Sequence, residues 1–203
     1  MHEEIFPGTT TMARRMRELD WSTTPLGPPD RWPQSLRTSV STCLDCAFPI
    51  VLWWGPELVV LFNDEYRAML GAKDAWALGR PGARVWAEIW DVIDPMLSQV
   101  MQKAEPTRSR DLLLHINRRG YPEEAYFSFS YSPIRAEDGK VGGVFCPVIE
   151  TTDKVLGERR LRTLRDLSGC SKAAENELAV CQRRQRARDE CPRRAVRAHL
   201  SHR

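Results

Sequence analysis

The side chains with the greatest capacity for chemistry in this 203-residue chain are six cysteines and four histidines. Cys43 and Cys46 form a Cys-x-x-Cys pair, while Cys146, Cys170, Cys181 and Cys191 are scattered. A structural zinc site requires a second pair or histidines at ligand spacing, and none follows. A thiol–disulfide motif would follow a strand and open a helix. This pair instead lies in a stretch that reads as helix and precedes a strand. The N-terminus, MHEEIFPGTT, has no basic stretch leading into an apolar core, so no secretory signal is present and no disulfide framework is expected. His115 is the single histidine inside the patterned region, on a strand face opposite Leu112, Leu114 and Ile116. It reads as a surface or hydrogen-bonded residue rather than a ligand. No Ser/His/Asp or Cys/His arrangement suggests nucleophilic catalysis, and an enzyme is not expected.

Aromatic residues are the other candidates. Trp53, Trp54, Trp76, Trp86 and Trp90 could line a pocket for an apolar or aromatic ligand. Core and rim packing is the plainer reading for rings of this size. Cys146, within an apolar strand, is either a redox reporter or a small apolar filler.

The elements that would position these residues follow from periodicity. Met12, Met16 and Leu19 recur at helical spacing over residues 10–20. WSTTPLGPPDRWP, with four prolines and one glycine, is an extended connector. A second helix over about 32–46 carries Leu36, Val40 and Leu44 on one face. Phe48–Trp54 and Leu58–Phe62 form a hairpin split by Gly55-Pro56. Asn63-Asp64 caps a short helix over 64–70 that Gly71 closes, and residues 73–80 are a turn or short helix. Residues 84–103 are helical, with Val85, Trp86, Ile89, Trp90 and Ile93 at 3–4 spacing; Asp94 and Pro95 are expected to restart a separate segment. Three strands follow, Arg110–Asn117, Ala125–Ile134 and Val141–Ile149. Phe127, Phe129 and Tyr131 alternate with Tyr126, Ser128, Ser130 and Ser132. Pro147 is expected to bring a bulge or an early end of pairing. Residues 153–168 turn helical, with Leu161, Leu164 and Leu167 as a thin apolar seam. Five antiparallel strands with helices on one face make an α+β layout.

Composition and charge narrow the class. Hydrophobic residues are 42% and charged residues 28%, normal for a soluble globular protein. No apolar run approaches the roughly 20 residues of a membrane helix, and a cytoplasmic protein is the expectation. The net charge of +3 is uneven: residues 182–203 hold eight Arg, one Asp and one Glu, contributing +6, so residues 1–181 sum to −3. The folded part is therefore mildly acidic, which argues against nucleic-acid binding by the domain itself.

Several segments resemble a known family. WSTTPLGPPDRWPQSLRTSVS and FPIVLWWGPELVVLFNDEYRAMLG look like the leading part of PAS sensor domains at the N-terminus of bacterial histidine kinases. VWAEIWDVI, GYPEEAYFSFSYSPIRAEDGKVGGVFCPVIETT and VLGERRLRTLRDLS look like the rest of that module and its exit helix. The resemblance covers roughly residues 10–168. NDEYRAMLG is widespread in the family, and the YFSFSYSPI…DGKVGG…ETT run is more specific. The resemblance implies a PAS fold: a five-stranded antiparallel sheet with short helices on one face, a helical lead-in and a C-terminal exit helix. It implies sensing of a small molecule, light or redox state, or dimerisation, with the signal leaving through the exit helix. The concave sheet face is the natural pocket, with Trp53, Phe62, Trp86, Trp90, Phe129 and Cys146 as its candidate residues. Leu161, Leu164 and Leu167 would either pair two copies in a short coiled coil or pack on their own domain.

Cofactor and output expectations follow from departures. Flavin photoreceptors of the family place a reactive Cys in an NCRFL-like run after the second strand; FNDEYRAML has none. Haem-binding members take an axial His from the long helix, and residues 84–103 contain none. Neither flavin nor haem is expected, and an unknown small ligand stays open. A kinase needs a phosphoacceptor His on a dimerisation helix and an ATP-binding domain. After residue 150 only His199 and His202 occur, so this is read as a sensor-kinase fragment that pairs with itself or reports to an output domain.

The expected division is 1–45 lead-in, 46–152 PAS domain, 153–181 exit helix and start of a second domain, and 182–203 a disordered Arg-rich tail. The tail, QRRQRARDECPRRAVRAHLSHR, reads either as a nucleic-acid arm or as an out-of-frame translation. With codons chosen from the degenerate set, DECPRRAVRAHLSH shifted by one base spells TNARDVPFALIYL. That string resembles the opening of the GAF domain that often follows such PAS modules. The expectation is a PAS–GAF kinase front end whose frame is lost near Gln182. A freestanding ligand-binding regulator is the alternative.

Overall fold

In a computed structural model, the backbone is described over residues 4–200 and side chains at all of these except 168–176 and 187–200. Residues 1–152 form one compact unit and 153–203 a second.

The first unit opens on α1 (Thr11–Glu18), whose N-cap Thr10 accepts from the Ala13 N–H, as a hydroxyl at this position should. Its buried residues, Met12, Ala13 and Met16, face inward. The proline-rich connector contains two short 3₁₀ turns, Trp21–Thr23 and Pro29–Arg31. It folds Phe6, Trp21 and Trp32 into an aromatic cluster, the two indoles 4.8 Å apart and nearly perpendicular. Both satisfy their N–H on backbone carbonyls, Trp21 on Met16 and Trp32 on Gly27. α2 (Gln34–Asp45) buries Leu36, Val40, Cys43 and Leu44.

The sheet consists of β1 (Ile50–Trp54), β2 (Val59–Phe62), β3 (Thr107–Asn117), β4 (Pro122–Arg135) and β5 (Val141–Glu150). Its order is β2-β1-β5-β4-β3, with every neighbouring pair antiparallel. Between β2 and β3 run α3 (Arg67–Leu70), α4 (Gly82–Val85) and α5 (Trp90–Lys103), with 3₁₀ turns at Gly71–Ala75 and Ala87–Ile89. This is the α+β arrangement expected from the strand and helix order.

Two proline expectations are corrected. The helical break falls at Trp86–Ile89, and α5 then runs through Pro95 without restarting. Pro95 is only the sixth residue of α5, so it removes one intrahelical bond close to the N-terminus. Ile93, Leu97 and Val100 remain buried across it. Pro147 neither bulges β5 nor ends it. Pairing with β4 runs to Phe129↔Val148 and resumes in the same register at Ser132↔Phe145, while Pro147 itself stays opposite Ile50 of β1. The irregularities lie elsewhere. β3 shifts register between Ser109 and Leu112, where Asp111 adopts φ +49°. β4 shifts at Ile134/Arg135.

The second unit is helical. α6 spans Thr152–Leu200, and residues 201–203 of the expected tail lie outside the described residues. Arg and Ala are the commonest residues of that tail, and both are strong helix formers. Leu161, Leu164 and Leu167 are each more than half exposed. Among the described residues, no helix is long and apolar enough to cross a membrane.

Candidate functional site

The inner sheet face and the α3–α5 segment enclose an apolar cavity. Strand alternation selects its floor: Val51 and Trp53 from β1, Leu114 and Ile116 from β3, Phe127, Phe129 and Tyr131 from β4, Cys146 and Val148 from β5. Tyr66, Met69, Trp86, Ile89 and Ile93, from the segment between β2 and β3, complete the lining. The space left open to a water-sized sphere is about 40 Å³, room for two or three waters.

Of the candidate residues, Trp53, Trp86, Phe129 and Cys146 come together on this wall. Phe62 and Trp90 do not. Phe62 is fully buried against Tyr66, ring centroids 5.9 Å apart. Trp90 packs on Trp53 at 6.4 Å and faces a surface groove beside Pro56 and Met101. Trp76 is 40% exposed, outside the cavity, with the Arg84 guanidinium 5.9 Å from its ring. Tyr66, Tyr131 and Met69 were missed. Tyr131 was legible as a face-mate of Phe129, and Tyr66 and Met69 share one face of the turn after β2.

The polar atoms of this wall are neutral. Burial pushes the Cys146 thiol well above its ordinary range, so the thiolate chemistry of a redox reporter is disfavoured. Burial also holds the Tyr131 and Tyr66 phenols well above theirs, with Cys146 adding to each; the nearby Trp86 N–H pulls Tyr66 slightly back. That N–H does not reach hydrogen-bond geometry, and neither does the Trp53 N–H. Cys43 is buried in α2 with its thiol pushed up by burial, and Cys46 caps the helix. His115 is exposed on β3. Among the described residues, no group of three or more His, Cys, Asp or Glu is placed to hold a metal ion.

Polar contacts tie the cavity to its surroundings. The Lys73 ammonium sits 4.1 Å over the Trp86 ring and pairs with Glu88. Glu88 also accepts the Asn117 backbone N–H at 3.0 Å. The neighbouring Arg118 holds Glu150 through two bonds of 2.7 and 2.8 Å. Those bonds keep the Glu150 carboxyl below the usual carboxylate range. Glu150 accepts from the Thr152 hydroxyl, which in turn accepts the Tyr126 N–H. These bonds hold Thr152, the first residue of α6, to Tyr126 of β4 and to Glu150 at the end of β5. On the other side, Asp74 accepts from both Arg15 of α1 and Arg67 of α3, and Asp64 accepts the Met12 N–H.

A five-stranded antiparallel sheet of this order, with an apolar cavity under short helices and a helix leaving the last strand, defines a sensor-type α+β domain. The family model described as PAS fold matches residues 49–156, and the chain belongs to that family. No curated protein matches the chain. Among solved structures, an RNA-binding light-oxygen-voltage receptor shares 20% identity at a TM-score of 0.48, over 72% of this chain and 42% of its own. This chain thus spans less than half of that receptor's length. A sensory box sensor histidine kinase from Vibrio cholerae shares 17% at 0.39, over 56% of this chain and 87% of its own. The PAS domain of Bordetella pertussis BvgS shares 20% at 0.42, over 62% and 92%. These are distant likenesses, and the family assignment rests on the match over residues 49–156.

Proposed function

We propose that this PAS domain is the sensory module of a cytoplasmic bacterial two-component system, reporting the state of its cavity through α6. One observation carries the reading: cavity and output share a strand. Cys146 and Val148 line the cavity, and Glu150 and Thr152, a few residues on, are hydrogen-bonded to each other where the chain enters α6. A change of cavity volume displaces β5 and reaches the helix without an intermediate element.

Two copies pair through Leu161, Leu164 and Leu167 in a short parallel coiled coil. The module has no kinase activity of its own and acts on an output domain, in a PAS–GAF kinase arrangement. DNA sequence around the Gln182 codon tests that arrangement: a downstream frame without GAF and kinase segments contradicts it. A freestanding ligand-binding regulator is the second reading, and gene context separates the two.

Sedimentation equilibrium tests the module itself. Wild type is expected to dimerise, and a triple Leu161→Ser, Leu164→Ser, Leu167→Ser variant to be monomeric with an unchanged melting temperature for the sheet domain. Cys146→Leu, which fills the cavity, is expected to shift the dimer dissociation constant severalfold. A wild-type monomer, or a dimer indifferent to both changes, contradicts the reading.

A further inference from the structure

Two donors on the cavity wall lack acceptors. The indole N–H groups of Trp53 and Trp86 are buried, in residues only 2% and 4% exposed, and neither reaches hydrogen-bond geometry with a protein acceptor, although the Tyr66 hydroxyl lies near the Trp86 N–H. Native proteins seldom leave a buried donor unpaired, so each such group calls for an explanation. The two tryptophans of the lead-in show the contrast, since both find carbonyls.

The rest of the wall has a definite chemistry. It contains no charged side chain, carboxylate, amide or imidazole. Its other polar atoms are the Tyr66 and Tyr131 hydroxyls, kept protonated by burial, and the sulfurs of Met69 and Cys146. Donors outnumber strong acceptors, and no fixed charge is present to balance an ion. The Lys73 ammonium, over the Trp86 ring, is not part of the lining and is already paired with Glu88. Phe129, Tyr131 and Trp53 offer ring faces and edges, with centroids 4.8 and 6.4 Å apart.

We propose that the cavity takes one small uncharged ring compound bearing hydrogen-bond acceptors, which receive the Trp53 and Trp86 N–H groups. This deepens, and rests on, the sensory reading above. The open volume of about 40 Å³ is smaller than one ring. Admission therefore requires a wall residue to move, and Met69 is the one suited to it. Its unbranched side chain repacks at low cost, and it sits on α3, a single helical turn. Ligand entry is thus coupled to a displacement of α3.

Benzene, pyridine and pyrimidine test this, being nearly equal in shape with none, one and two ring acceptors. At mildly alkaline pH both heterocycles are uncharged. Each is titrated into the full chain while the indole N–H resonances are followed by NMR. Affinity is expected to rise from benzene to pyrimidine by about tenfold or more, with the Trp53 and Trp86 resonances moving downfield. Trp53→Phe and Trp86→Phe are each expected to narrow the pyrimidine-to-benzene affinity ratio severalfold, the ratio being read within each variant so that the altered cavity size cancels. Equal affinity for all three rings overturns the acceptor requirement while leaving a ligand-binding cavity. Failure of all three to bind both wild type and the roomier Met69→Ala variant overturns the ligand class. The sensory reading is then judged separately by the dimer response to Cys146→Leu.

Discussion

Gly71 shows how much one residue constrains the site's surroundings. It closes α3 at φ +56°, and a Cβ there would run into the Arg118 backbone carbonyl and side chain. The contact is close because Ala72 donates its N–H to that same carbonyl at 3.1 Å. Arg118 then grips Glu150 at the end of β5. Gly71→Ala is expected to lower stability by about 2–3 kcal/mol in urea unfolding, combining backbone strain with a backbone collision. A loss below about 1 kcal/mol would mean that the α3–β3 junction gives way easily. The glycine was legible in the sequence as a helix stop. Its collision partner was not, because Arg118 lies far along the chain and nothing local marks the approach.

At the scale of elements, pattern-bearing segments were legible and long-range polar contacts were not. Alternation in β4 placed Phe127, Phe129 and Tyr131 on the inner face, and helical spacing found α1, α2 and the body of α5. The prolines misled because their cost depends on context: Pro95 sits near a helix start, and Pro147 keeps its place opposite Ile50 of β1. Phe62 and Trp90 were misplaced because residue type does not say which ring stands in front of another. The docking of α1 on α3 was invisible to periodicity, since it depends on Asp74 accepting from Arg15 and Arg67, 59 and 7 residues away. Partial burial pushes the Asp74 carboxyl up, and the two guanidinium groups more than offset it, leaving it below the ordinary carboxylate range. Its contribution is therefore fully present above the unfolded carboxyl pKa of about 3.9 and is lost as pH falls through the lower folded value. Asp74→Asn is expected to cost about 1–2 kcal/mol near neutrality, with the gap from wild type closing below about pH 4. Urea unfolding of both proteins across that range checks it. A constant gap down to strongly acid pH contradicts the assignment.

For the whole molecule, a single strand runs from a nearly filled apolar cavity to the first residues of a long helix. Residues Cys146 to Thr152 span that distance, and the bonds among Arg118, Glu150, Thr152 and Tyr126 hold Thr152 to the sheet. Backbone hydrogen exchange, compared between wild type and Cys146→Leu, tests this most directly. Filling the cavity is expected to change exchange rates severalfold in both Val144–Glu150 and Thr152–Leu167, the two segments responding together. A change confined to β5, with α6 exchanging as in wild type, would contradict the account.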